Sequence, residues 1–162
     1  MKIVSNTGPL IGLAKIAQIS LLKSMAEEVL IPPAVHRELL GKFGPESEEI
    51  DRALRDFISV RQLKPLESEV EVALVDLDEG ERQAIGLAST LGEGVLLLLD
   101  DQAGRKAAKN LTIPTTGLAG FLLAAKEKGL ITNVVPLMEE LRNKGYWLSD
   151  ELIDAAKRLA GE

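Results

Sequence analysis

Apolar residues fall into two rhythms along this chain, and the rhythms alternate. Short solid runs at Lys2–Val4, Val29–Ile31 and Val95–Leu99 are too brief for helices and read as buried strands. The third is the strongest. Five consecutive aliphatic residues suit a strand whose two faces are both covered by helices, as in a parallel sheet. Between the runs, apolar residues recur at helical spacing. Helices are predicted from about Pro9; from Pro33, near a first helical position, to Gly41; within KFGPESEEIDRALRDF after its Gly-Pro turn; and from Gly80, through Ala84, Ile85, Ala88 and Leu91. Four more are predicted at Gln102 to about Lys109, Leu118–Lys128, Val134–Lys144 and Ser149–Ala160, with ISVRQL and LTIPTT as further short strands. Strands alternating with helices imply right-handed crossovers and a mainly parallel sheet, an α/β fold in one domain over 1–162, with the helices from about 134 packed on it.

Such a sheet brings the C-terminal ends of neighbouring strands to one edge, where ligands bind. Asn6 follows the first strand and Asp100 and Asp101 close the strongest one; Glu38 and Glu81 lie on the intervening helices. Each also has a plain structural use. Asp78-x-x-Glu81 matches a capping box, in which Glu81 reaches back to the backbone. Asp101 can cap the helix that begins at Gln102, Asn6 and Thr7 can serve the turn before Gly8-Pro9, and Glu38 can be a solvated flank. If the oxygens converge, they suit a hard divalent cation such as Mg²⁺ or Mn²⁺, and phosphodiester hydrolysis fits that arrangement.

Composition narrows the chemistry. No cysteine and one histidine remove disulfides, cysteine nucleophiles and multi-histidine zinc sites. A net charge of −6 opposes indiscriminate nucleic-acid binding and leaves room for a local basic rim beside an acidic centre. No uncharged run is long enough to span a bilayer, and the opening stretch, interrupted by Gly8, Pro9 and Lys15, is not expected to act as a signal peptide. A cytoplasmic protein is expected.

The strings SNTGPLIGLAKI, LIPPAVHREL, LDEGERQAIGLA, LLLLDDQAGRKAAKNL, IPTTGLAGFLLAAKEKGLI and LRNKGYWLSDELI resemble PIN-domain proteins, near the VapC-like ribonuclease toxins and the DUF3368 group above all. The resemblance covers nearly the whole chain. It implies a three-layer α/β/α sandwich, an acidic Mg²⁺ or Mn²⁺ site, cleavage of single-stranded RNA, a toxin paired with an antitoxin protein, and a homodimer. Carried over by position, the family's acids fall at Asn6, Glu38, Glu81 and Asp101; Asp100 takes the neighbouring position, where relatives often have another polar residue, and Thr7 matches the small hydroxyl residue beside the first.

Asn6 departs from the aspartate most such nucleases carry. An amide oxygen can ligate a cation, but it supplies no charge. One unit against a dication at about 4 Å is worth ~8 kcal/mol gross at an effective dielectric near 20, most of it offset by desolvation. Asp100 would compensate if its carboxylate turned toward the site. The same fold without cleavage, binding RNA or a protein partner, is therefore the alternative. Phosphate contacts are expected first from Arg105, Lys106 and Lys109, then from Lys15 and Arg37, although some of these serve as a solvated helix face. Tyr146 and Trp147 could stack on bases, with packing of the C-terminal helices as their expected use; His36 receives no role. A phospho-acceptor receiver would want an acidic pair after the first strand, where Asn6-Thr7 stand. A dinucleotide site would want GxGxxG there.

Overall fold

The computed structural model describes residues 1–42 and 44–162; Phe43 lies outside them. Five strands form one all-parallel sheet: β1 (Lys2–Ser5), β2 (Glu28–Ile31), β3 (Ile58–Val60), β4 (Val95–Leu98) and β5 (Thr115–Thr116), in the order β3-β2-β1-β4-β5. The helices are α1 (Thr7–Lys15), α2 (Leu21–Met25), α3 (Pro33–Leu40), α4 (Ser47–Asp56), α5 (Ser68–Leu74), α6 (Glu79–Thr90), α7 (Gln102–Asn110), α8 (Leu118–Glu127), α9 (Val135–Asn143) and α10 (Asp150–Ala160). The result is the three-layer α/β/α sandwich.

The solid aliphatic runs are solid because both faces of the sheet are buried. Ile3, Val29, Ile31 and Leu98 enter the core beneath α1 to α4 and α8 to α10. Val4, Leu30, Val95, Leu97 and Leu99 enter a second core beneath α5, α6 and α7. Side chains alternate faces at each step, as strand geometry requires. Met138, Leu141, Leu148, Ile153 and Ala156 join the first core, which seats the C-terminal helices on the sheet.

Two elements escaped the apolar rhythm, and one boundary moved. α2 and α5, five and seven residues long, were not foreseen; in α5 the alternation Glu69-Val70-Glu71-Val72 carries a strand period although the segment is helical. α1 begins at Thr7 rather than Pro9. Pro9 fits inside the first turn because the first four amides of a helix have no intrahelical acceptor. Registers place Ser5 beside Leu98, Leu98 beside Thr116 and Ile31 beside Val60. Asn6, Leu99–Asp101 and Gly117 therefore leave the sheet along one edge.

Candidate active site

Asn6 is fixed at this edge by its backbone, whose N–H donates to the Leu98 carbonyl at 3.0 Å. It occupies the N-cap position of α1 in an extended conformation, yet its side chain makes no capping bond. The amide is thereby left for other use. It faces Gly80, where a Cβ would stand 3.5 Å from Asn6 Oδ1 and 2.5 Å from Glu38 Oε1. Glu38 reaches that spot because α3 is clamped to α6. The Ala34 N–H donates to Gln83 Oε1 at 2.8 Å, Arg37 pairs with Glu79 at 2.7 Å, and Gln83 Nε2 donates to Glu79 at 3.2 Å. Gly80, buried in the first turn of α6, is what allows the Glu38 and Asn6 oxygens to approach together.

Asp78 caps α6, accepting the Glu81 N–H at 2.9 Å. The half-buried Glu81 carboxyl is pushed up to about 7 by burial first, then by the charges of Asp78 and Asp101 and a side-chain contact with Asp78; the Asp78 backbone pulls the other way. Asp101 caps α7 with one oxygen, accepting the Gly104 N–H at 2.8 Å. Its capping use and its place beside Glu81 thus coexist.

Asp100 is turned elsewhere. Its oxygens accept the Leu118 N–H at 3.2 and 3.4 Å and the Tyr146 hydroxyl. The carboxylate lies over Gly117, where Arg105 Nη1 also approaches, at 3.4 Å from the position of a Cβ. Burial and the Asp100 charge raise the Tyr146 hydroxyl, keeping it a donor. In this arrangement Asp100 secures the start of α8 rather than compensating for Asn6.

A family model for PIN domains, DUF3368, matches residues 2–162. The chain belongs to this PIN-domain family. Its fold is also similar to that of a PilT N-terminus domain protein from the hyperthermophilic archaeon Sulfolobus solfataricus P2, with a TM-score of 0.56 at 22% identity over 77% of this chain and 93% of that one. No curated protein sequence matches it.

Within this PIN domain, oxygen donors from Asn6, Glu38, Glu81 and Asp101 suit a hard cation. Two observations favour such a group: the cradle left bare at Gly80, and Thr7 Oγ1, which is buried beside Asn6 without a hydrogen-bond partner. Among the described residues no three acidic or histidine side chains close on a single point. Mg²⁺ asks for less, since one or two carboxylates with water and substrate phosphate complete its shell.

The basic residues divide. Arg105 reaches the rim beside Gly117, while Lys106 and Lys109 are exposed along α7. Arg37 is paired with Glu79, and Lys15 donates to the Lys144 carbonyl at 3.1 Å. The expectation that Tyr146 and Trp147 both pack is corrected for one of them: Tyr146 goes inward to Asp100, but Trp147 is 83% exposed. His36 stays half-buried on α3. Sequence reasoning missed Gly80 and the Tyr146–Asp100 bond. A glycine inside a first helical turn, where helix propensity disfavours it, was the available signal for the former.

Proposed function

We propose that this PIN domain is a Mg²⁺- or Mn²⁺-dependent endoribonuclease acting on single-stranded RNA, working in the cytoplasm as the homodimeric toxin of a toxin–antitoxin pair. Family membership supports the nuclease part. The observation that supports the metal part is the meeting of the Glu38 and Asn6 oxygens at Gly80, with Glu81 beside them on the same helix turn, its carboxyl pushed up to about 7 by burial first and then by the charges of Asp78 and Asp101. Like charges held together at a strand edge are costly unless a cation joins them.

Glu38, Glu81 and Asp101 would hold the ion, with the Asn6 amide oxygen as a neutral ligand. A bound Mg²⁺ or Mn²⁺ would supply an activated water and stabilise charge on the leaving oxygen. Arg105, Lys106 and Lys109 would meet phosphate and orient the strand; Thr7, expected to join them, is buried beside Asn6 and would serve the site from within, and Asp100, through Leu118 and Tyr146, ties α8 and the loop before α10 to this edge. Antitoxin and second subunit follow from the resemblance to VapC-like toxins.

A second reading is favoured by Asn6 and by the absence of a three-carboxylate group among the described residues: a PIN fold that binds RNA or a protein without cutting. Cleavage of a mixed single-stranded RNA pool with Mg²⁺ or Mn²⁺ separates the two, using native protein, Asp101→Ala and Asn6→Asp. Cutting by native protein and not by Asp101→Ala is the expected result. Activity confined to Asn6→Asp would establish the second reading.

A further inference from the structure

The only tryptophan of a chain that is 3% aromatic stands 83% exposed. Tryptophan is among the most buried side chains on average, so this placement calls for a use. The flanking residues turn inward: the Tyr146 hydroxyl donates to Asp100, its ring approaches Gly12, and Leu148 is buried. The loop is also tied to α1 by reciprocal bonds. Lys144 Nζ donates to the Lys15 carbonyl at 2.8 Å and to Glu140 at 3.0 Å, and Lys15 Nζ donates to the Lys144 carbonyl. Trp147 therefore projects from a pinned base, one residue from the side chain that touches Asp100, with two ammonium groups on the same loop–helix junction.

We propose that Trp147 is a base-stacking residue for a single-stranded RNA that passes from the acidic edge over the loop of residues 144–147. The choice of RNA as occupant rests on the ribonuclease reading. An indole face accepts any base, and Lys144, exposed beside it, has a third N–H beyond its bonds to Lys15 and Glu140 that a backbone phosphate can take. A protein partner would ask for a broad apolar patch, on the order of 800 Å² per side, whereas Trp147 is the one large apolar side chain exposed on this loop, beside Lys144 and Gly145. Its pinned base would limit the conformational entropy lost on stacking.

Because Trp147 is the sole tryptophan, its emission reports on itself. Titrating native protein with a mixed uridine–adenine single strand in EDTA, which keeps the RNA whole, is expected to quench that emission. Trp147→Ala should bind a dye-labelled copy of the strand about 5- to 150-fold more weakly, the span for one base stack, with Trp147→Phe in between. Unchanged emission while the labelled strand binds, equal affinity of Trp147→Ala and native protein, or no binding by either overturns the proposal. So does a Trp147→Ala protein that keeps its RNA affinity and loses a bound protein partner. Cleavage keeps the two ideas apart. RNA cut by both proteins at equal KM removes stacking alone, whereas quenching without cleavage in Mg²⁺ or Mn²⁺ removes the nuclease reading alone.

Discussion

The Glu38 carboxylate lies over the bare Cα of Gly80, so near that a Cβ there would stand 2.5 Å from Oε1. Alanine would ordinarily improve a helix at this position by up to about 1 kcal/mol. Here it would have to displace Glu38 and crowd Asn6. Gly80→Ala is expected to lower RNA cleavage by about 10- to 100-fold, the penalty of a small misplacement, while thermal unfolding shifts little. Full activity in the variant would show that Glu38 need not occupy this place.

Glu81 makes the metal-free protein sensitive to pH. Its folded carboxyl titrates near 7 against an ordinary value of 4.5, so the folded state binds the extra proton between these values and loses stability as pH rises through them. Glu81→Gln in EDTA should therefore be more stable than native protein at pH 8, by about 1–2 kcal/mol after solvent screening, and nearly equal at pH 4.5. Added Mg²⁺ should raise the native melting temperature and leave Glu81→Gln behind. A variant less stable than native protein at pH 8 in EDTA would contradict the crowding.

At the far end of the chain the sign is reversed. Burial works against the Glu162 carboxylate, but bonds from the Val134 N–H, Lys126 and the Val135 N–H outweigh it and hold its pKa at about 2. Stability from this clasp is complete above about 4.5 and is lost as pH falls toward 2. Glu162→Gln should cost about 1–3 kcal/mol at pH 7, with the deficit shrinking below pH 4.5 in acid titrations followed by circular dichroism.

Tyr146→Phe keeps the ring against Gly12 and removes the donor to Asp100. The loss of a bond to a charged acceptor is worth about 1.5–3 kcal/mol, measurable as an earlier urea midpoint. An unchanged midpoint would mean that Asp100 is served equally well by water.

Much of this was legible from residue order. Val95–Leu99 announced a strand covered on both faces, and Pro33 and Gly41 bracketed α3 as helix signals should. Topology alone could bring Asn6 and Asp101 to one edge, whereas Glu38 and Glu81 lie on the intervening helices α3 and α6. Side-chain direction was not legible. Whether Asp100 or Asp101 faces Glu81 depends on which carboxylate the Leu118 N–H and Tyr146 capture, and Tyr146 lies 46 residues from Asp100 in sequence. Nor does a lone aromatic dipeptide disclose that Tyr146 is turned in and Trp147 out, because that alternation is set by where Leu148 finds its core.

The central position of β1 bears on the birth of the protein. Asn6 directly follows β1, yet its backbone is anchored to Leu98 of β4, a strand made about ninety residues later. A chain translated only through Thr90 holds Asn6, Glu38 and Glu81 but lacks the strand that fixes the first and the Asp101 that faces the last. At about 5–20 residues per second, the ribosome spends several seconds with a chain whose acidic edge does not yet exist. A nuclease made beside messenger RNA would thus stay harmless to its own template until β4 has emerged.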